Sequence, residues 1–291
     1  MVQGVFLPVH VQKPEIQSNM VIRNLSLWSA LRLGSVALSA ALLWGSPARS
    51  QVSLSPLVIE LEAKRGQAQS VINLRNTGNE PFRARIYAEP FTYSRDKGFQ
   101  SLSSSPTDLT PYLQFSPREV IVQPNTRRRI RLITRFPPSL PEGEYRAVIF
   151  TENLTETLSD EGIKVNIRAR IGVTVYVHQG DLSPNFAVTQ ASWNSEQRQV
   201  QLLVNNTGTA SARPKVNWTL KQGNTVVATG NVRETGIVAE SERHFLLQYP
   251  PKEEPIPPPG EYQLTGELLW GKEFEDLETL PFSVNFTIPS Q

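Results

Sequence analysis

The chain has 291 residues, of which 39% are hydrophobic, and it carries a formal net charge of +2. It contains no cysteine, which excludes disulfide bonds, thiolate metal sites and cysteine nucleophiles. With 23 prolines and 17 glycines against two methionines, the composition favours short strands joined by turns over bundles of helices. We therefore expect an all-β fold.

The first element in chain order is an apolar segment from Leu25 to Trp44. It precedes Ala48-Arg49-Ser50, which offers small residues at the −3 and −1 positions of a signal-peptidase site. We predict that residues 1–50 are an N-terminal extension and signal peptide, cleaved after Ser50, and that the mature protein is periplasmic. Met1 and Met20 are both candidate starts. The alternative is a retained membrane anchor, although the densest apolar part is shorter than the roughly 20 residues of a spanning helix. Contact with a membrane is expected only through this segment.

Three short patterns then occur twice, in the same order. The pairs are Val71–Gly78 with Leu202–Gly208, Ile130–Pro138 with Phe245–Pro251, and Pro141–Arg146 with Pro259–Tyr262. The first pattern is an apolar run that ends in Asn-Thr-Gly, which predicts a strand and a tight turn. In the third, Tyr145 and Tyr262 follow Gly-Glu and resemble a tyrosine corner, in which the hydroxyl bonds the backbone upstream.

These repeats predict two immunoglobulin-like β-sandwich domains in tandem, residues 51–180 and residues 181–291. Trp193, Trp218 and Trp270 fall in or beside predicted strands of the second domain, where we expect them to fill its core.

A long alternating run from Ile163 to Val177 is the most informative segment. Its apolar residues occupy every second position: Ile163, Val165, Ile167, Ala169, Ile171, Val173, Val175 and Val177. This period predicts one two-faced strand, longer than the usual five or six residues. The strand therefore extends beyond one sandwich or presents an exposed apolar row, which can pair with another chain. The alternative is a long strand that is paired internally.

The first half resembles the PapD-like periplasmic chaperones of pilus assembly. The resemblance covers most of residues 51–180 and rests on Ser55–Glu60, Leu74-Arg75-Asn76, Phe115–Pro124 and the Ile163 strand. It implies two immunoglobulin-like domains, the last strand of the first domain lending alternating apolar residues to a pilin subunit. The subunit-binding residues so implied are Ile163, Val165, Ile167, Ile171, Val173 and Val175.

Such chaperones also hold the terminal carboxylate of the subunit with two basic residues. The matching positions here are Pro56 or Leu57 and Gly172, so that clamp is absent. Arg168 and Arg170 lie on the polar face of the same strand and are candidate carboxylate anchors. A solvated strand face explains them equally well.

A basic cluster, Arg127-Arg128-Arg129-Ile130-Arg131, predicts a surface strand with arginines on one face and apolar side chains on the other. An acidic partner that binds this cluster is one interpretation of its charge. Nucleic-acid binding is not expected, because the export signal and the absence of an aromatic and basic platform argue against it.

Catalytic patterns are absent from the sequence. The three histidines, His10, His178 and His244, form no triad and no pair at metal-ligand spacing. We therefore expect no enzyme, no metal and no cofactor.

The predicted function is that of a periplasmic chaperone-like protein that binds exported, pilin-like subunits by strand donation. An outer-membrane assembly protein is a further candidate partner. A structural or adhesive surface module and, less favoured, a carboxylate-pair hydrolase are the alternatives.

Overall fold

The computed structural model describes residues 52–154, 157–158, 164–165, 169–249, 257–272 and 275–290. They form strands and one short 3-10 helix, Thr110–Tyr112. The strands are β1 Val52–Ser55, β2 Val58–Glu62, β3 Gln67–Asn76, β4 Phe82–Glu89, β5 Phe91–Ser94, β6 Gly98–Ser101, β7 Leu113–Ser116, β8 Glu119–Val122, β9 Arg127–Arg135, β10 Gly143–Asn153, β11 Thr157–Leu158, β12 Lys164–Val165, β13 Arg170–Gln179, β14 Phe186–Asn194, β15 Gln199–Asn206, β16 Lys215–Gln222, β17 Thr225–Val232, β18 Ser241–Leu246, β19 Gly260–Lys272 and β20 Glu275–Ile288.

The predicted all-β class is confirmed, and the strands build two β-sandwiches. The apolar segment Leu25–Trp44 lies outside the described residues. Within the described ranges, no helix is long and apolar enough to span a bilayer.

The first sandwich consists of sheet A, in the order β1-β3-β9-β7, and sheet B, in the order β2-β13-β10-β4-β8. The chain crosses from sheet A to sheet B at Pro56 and again at Pro117, each preceded by a cis peptide bond. Proline has no N–H to give to a ladder, so both strands end there. The alternating apolar residues of both sheets meet in a buried core that includes Ile72, Leu74, Ile130, Ile149 and Val175.

The second sandwich consists of sheet C, in the order β14-β15-β18, and sheet D, in the order β17-β16-β19-β20. Trp218 is buried in its core, and Trp193 and Trp270 pack against that core, as predicted. The last strand of the first sandwich ends at Gln179, and the first strand of the second begins at Phe186.

Both predicted tyrosine corners are confirmed. The hydroxyl of Tyr145 donates to the carbonyl oxygen of Pro141 at 3.1 Å, and that of Tyr262 donates to the carbonyl oxygen of Pro258 at 2.8 Å. Each tyrosine thereby fixes the turn that leads into a long strand, β10 or β19.

The Asn-Thr-Gly pattern also has the same structure in both sandwiches. The side-chain oxygen of Asn76 accepts from the N–H of Gly78, and its amide donates to the carbonyls of Glu80 and Val122. Asn206 makes the matching bonds with Gly208, Ala210 and Val238. One buried amide thus closes the turn and ties it to a distant segment of the chain in each sandwich.

Candidate functional site

The N-terminal end of β13 has a strand neighbour on one side only. On that side β13 pairs with β10 along its whole length. On the other side, pairing with β2 begins only at Thr174, opposite Val58, because the chain turns away to sheet A at Pro56. Within the described part of the chain, no strand pairs with the β2 side of residues 170–173. We call this side of residues 170–173 the free edge.

Two backbone units of β13 point outward at the free edge. The N–H of Thr174 donates to the carbonyl of Leu57, on the β2 side, at 3.0 Å. The carbonyl of Ala169 accepts from Asn153, on the β10 side, at 2.9 Å. Because successive residues of a strand alternate in direction, the N–H and C=O groups of Arg170 and Gly172 point to the free edge. They offer an added strand the same hydrogen-bonding groups that β13 offers to β2 further along.

The earlier part of the predicted donor strand is only partly described. Ile163, Ile167 and Arg168 lie outside the described residues. Val165 lies in β12, which pairs with β11 as a short hairpin. Two described strands therefore fall in the run from Ile163 to Val177: β12 and β13, which begins at Arg170. Ala169 belongs to neither, so the described residues do not form the single continuous strand that the alternation predicted.

The later part of the predicted donor strand is built into the fold. Val173 and Val175 are 0% and 1% exposed, in the core of the first sandwich. Their assignment as subunit-binding residues is therefore corrected, because their side chains face inward and hold β13 against sheet A. Ile171 is half-buried and packs against the same core.

Arg170 lies on the opposite face of sheet B, exposed to solvent. Its guanidinium carbon lies 4.1 Å from the ring centre of Phe150, and its Nη1 donates to the hydroxyl of Tyr87 at 3.3 Å. The bond with Tyr87 raises the pKa of Arg170, which therefore stays cationic. Among the described residues, the nearest carboxylate is that of Glu89, which lies 3.8 Å from Nη1. The side chain is thus a charged donor held beside the free edge, with capacity for a further anion.

The next residue of β13 on the same face as Arg170 is Gly172, where neighbouring side chains leave no room for a basic side chain. A Cβ there would lie 2.8 Å from Cγ2 of Val148 and 3.1 Å from the ring of Phe150. The two side chains of β10 occupy the space that a lysine stem would need, and Arg170 reaches the same region from two residues upstream.

No protein-family model matches the chain, and no curated protein matches it. Solved structures do. The class 5 fimbriae chaperone CfaA is 15% identical, with 82% of this chain and 100% of that chain covered and a TM-score of 0.47. A chain of the CsuC–CsuE complex, a chaperone and tip adhesion subunit of Acinetobacter baumannii Csu pili, is 15% identical, with coverage of 80% and 98% and a TM-score of 0.48. A chain of the Salmonella enterica SafA pilin and SafB chaperone complex is 11% identical, with coverage of 81% and 96% and a TM-score of 0.44. The chain is similar to these.

The face of sheet B that carries Arg170 is covered further along by aromatic side chains. Phe91 and Tyr176 are buried there together with Phe150, and Val238 of the second sandwich packs into the same cluster. The polar face expected of the alternating run is therefore solvent-exposed at Arg170 and buried at Tyr176, which is 2% exposed.

A hairpin, β5–β6, links the two sandwiches at this face. Its Arg95 forms an ion pair with Glu242 at 2.8 Å, and its Asp96 contacts Nδ1 of His244 at 2.6 Å. The N–H of His244 also donates to the carbonyl of Arg95 at 3.0 Å. The hairpin belongs to the first half of the chain but is held by β18 of the second sandwich.

A buried carboxylate forms a second link between the sandwiches. The side chain of Glu144 is 1% exposed and accepts from Arg146 at 3.0 Å and from Nε2 of His178 at 3.1 Å. From the second sandwich, the backbone N–H of Ser211 donates to it at 2.6 Å, and the Ser211 hydroxyl donates as well.

The ionisation of this carboxylate follows from its neighbours. Burial alone would raise the pKa of Glu144, but the hydrogen bonds from His178 and Ser211, with the charge of Arg146, outweigh burial and lower it. The bond to Glu144 in turn raises the pKa of His178. We call Glu144, Arg146, His178 and Ser211 the junction network.

Sequence reasoning missed Tyr87 and Phe150, which hold Arg170, and it missed the junction network. The aromatic residues Tyr87, Phe91 and Tyr93 follow one another closely in the sequence, and this spacing could have indicated a face that is covered by other side chains. Glu144 belongs to the Gly-Glu-Tyr pattern, which indicates a turn and not a buried carboxylate. His178 and His244 both contact carboxylates of the domain junction. Among the described residues, no cluster of three or more acidic or histidine side chains could hold a metal ion.

Proposed function

We propose that this protein is a non-catalytic, periplasmic chaperone-like protein that binds an exported, pilin-type subunit by strand pairing. The observation that carries the proposal is the free edge of β13, where the backbone groups of Arg170 and Gly172 point outward. An added strand at an open edge gains main-chain hydrogen bonds, and alternate side chains give specificity.

Different residues along the strand pack in the core of this protein and bind the subunit. Val173 and Val175 anchor β13 in the core, while the apolar row of Ile163, Val165 and Ile167 enters the subunit. Ile171 lies at the transition between the two, because it is half-buried against the core. This division keeps the donor segment attached to a rigid sheet.

Arg170 supplies the charge-assisted contact for the terminal carboxylate of the subunit. Its guanidinium is held by Phe150 and Tyr87, so little side-chain entropy is lost on binding. Glu89, at 3.8 Å, is the anion that the incoming carboxylate replaces. Arg168 is the second candidate anchor. A bound subunit is then passed on, and an outer-membrane assembly protein is the proposed recipient.

The test is recovery of subunits with the tagged protein from the periplasm of its host, followed by reconstitution with the recovered subunit. We expect Val165→Asp with Ile167→Asp to abolish recovery. Ile171 is left unchanged, because Asp there would disturb the core. The matched control is Val226→Asp with Leu277→Asp, which places two charges at side chains of the second sandwich that are 53% and 55% exposed. Subunit capture by the first double variant at the level of the control would refute strand donation.

Arg170 allows the side chain and the backbone to be tested apart. Arg170→Ala removes a charged hydrogen bond of about 1.5–3 kcal/mol and is expected to weaken binding about 10-fold to 150-fold. Arg170→Pro also removes the N–H at the free edge and should weaken binding about 2-fold to 12-fold further. Equal affinities of the two variants would exclude backbone pairing at this residue. Binding to whole cells without any subunit would instead support an adhesive surface module.

A further inference from the structure

The outer face of sheet A carries a cluster of arginines. In β9 the side chains of Ile130, Leu132 and Thr134 face the core, so the odd-numbered positions face outward. The outward arginines, all exposed, are Arg127, Arg129, Arg131 and Arg135 of β9 and Arg75 of the neighbouring strand β3. We call these five residues the arginine face.

No acidic residue balances this charge within the sheet. The four strands of sheet A contain six arginines and no aspartate or glutamate. In the described part of the chain, none of the five side chains of the arginine face has an ion pair or a hydrogen bond. Arg75 lies directly opposite Arg127 in the β3–β9 register. Like charges opposite each other on one face of a sheet are destabilising, and a bound anion removes that cost.

The face is an open, regular surface. Outward residues of a strand repeat about every 6.8 Å, so the row from Arg127 to Arg135 is about 27 Å long. Between the arginines lie uncharged residues, among them Ile133 of β9, Val71 and Asn73 of β3, and Gln114 of β7. A surface of one charge, whose strands carry no carboxylates, suits an extended layer of phosphate groups better than one folded acidic partner.

We propose that the arginine face binds the anionic phospholipid headgroups of a membrane surface. Guanidinium groups pair with phosphates through two parallel hydrogen bonds, which suits them to this ligand. The location of sheet A in the sequence also supports binding to a membrane. Only residues 45–51 separate the apolar segment that ends at Trp44 from β1, the edge strand of the same sheet. Seven residues span at most about 25 Å, so until the segment is cleaved after Ser50, a molecule that holds it in a bilayer keeps sheet A close to the headgroups.

This surface is separate from the proposed subunit site. The free edge belongs to β13 in sheet B, whereas the arginines belong to the opposite sheet of the sandwich. Membrane contact and subunit binding can therefore occur at the same time.

The test uses residues 51–291, from a region that forms one compact unit. The protein is sedimented at low salt with vesicles of phosphatidylcholine and phosphatidylglycerol, or of phosphatidylcholine alone. Each basic residue near an anionic surface adds about 5-fold to binding, so Arg127, Arg129, Arg131 and Arg135 together contribute about two to three orders of magnitude. Changing all four to Gln should therefore abolish sedimentation with the anionic vesicles. Salt should weaken binding of the unchanged protein.

The matched control changes four cations of the hairpin and the second sandwich to Gln: Lys97, Arg198, Lys221 and Arg233. It loses the same net charge and should keep binding. The proposal is overturned if the unchanged protein does not sediment with anionic vesicles, if both quadruple variants lose binding equally, or if vesicles without phosphatidylglycerol bind as well. Binding to polyglutamate but not to vesicles would assign the face to an acidic protein and overturn the lipid proposal.

Discussion

The junction network predicts that the two sandwiches stabilise each other through one buried carboxylate. Glu144 lies on β10 of the first sandwich, and Ser211 of the second donates two hydrogen bonds to it. The perturbation is a double-mutant cycle of Glu144→Gln and Ser211→Ala. Glutamine keeps the shape of the side chain but removes the charge, and it has one acceptor oxygen for donors that face two.

The magnitude follows from burial. The side chain of Glu144 is 1% exposed, so solvent screens its contacts little. Removing one partner of a buried ion pair costs about 3–5 kcal/mol, and the isosteric amide should fall near the lower end. Ser211→Ala removes a charge-assisted hydrogen bond, worth about 1.5–3 kcal/mol. Because Ser211→Ala removes the hydroxyl hydrogen bond to Glu144 and Glu144→Gln weakens the same bond, we expect a coupling energy of about 1–3 kcal/mol.

Urea unfolding followed by tryptophan fluorescence is the assay. The three tryptophans after residue 50 are Trp193, Trp218 and Trp270, and all belong to the second sandwich. A shift of their unfolding transition by Glu144→Gln, in the first sandwich, therefore reports coupling across the junction. Effects that add to within about 0.5 kcal/mol in the double variant would refute the coupling.

Two further predictions concern pH and the tyrosine corners. Because its pKa is raised, His178 stabilises the fold fully below its ordinary pKa of 6.5, and this contribution is lost as pH rises through the folded pKa. Glu144, whose pKa is lowered, contributes above its ordinary value of 4.5 and loses that contribution as pH falls. The urea midpoint of the unchanged protein should therefore exceed that of His178→Gln by the largest amount between pH 4.5 and pH 6.5. The difference should shrink as pH rises through the raised pKa of His178. A difference that stays constant up to pH 9 would contradict this. Tyr145→Phe and Tyr262→Phe should each cost about 1 kcal/mol in urea unfolding followed by circular dichroism, and unchanged midpoints would show that the hydroxyls are dispensable.

Local patterns in the sequence predicted the repeated features of the fold well. The Gly-Glu-Tyr and Asn-Thr-Gly patterns predicted the corners at Tyr145 and Tyr262 and the turns after Asn76 and Asn206. Each depends on residues a few positions apart, so the chemistry is visible in the sequence. The outward direction of Arg129 and Arg131 followed in the same way from the alternation of a strand.

The candidate site was harder to predict, because it depends on partners far away in the chain. Alternation placed Val173 and Val175 on an apolar face, but it could not show that sheet A covers that face. It also could not show that Tyr176 is buried, since its cover includes Val238 of the other sandwich. The support of Arg170 by Tyr87 and Phe150 depends on the strand order of sheet B, which a local pattern does not encode.

The aromatic cluster between the sandwiches has a consequence for the order in which the chain folds. Every described strand of the first sandwich is complete once Gln179 has been synthesised and has left the ribosome. Val238, which completes the cover over Phe91 and Tyr176, follows about sixty residues later. During that interval the N-terminal half presents an uncovered aromatic surface. The second sandwich thus covers an apolar surface of the first, and the delay between the two is set by the rate of chain synthesis.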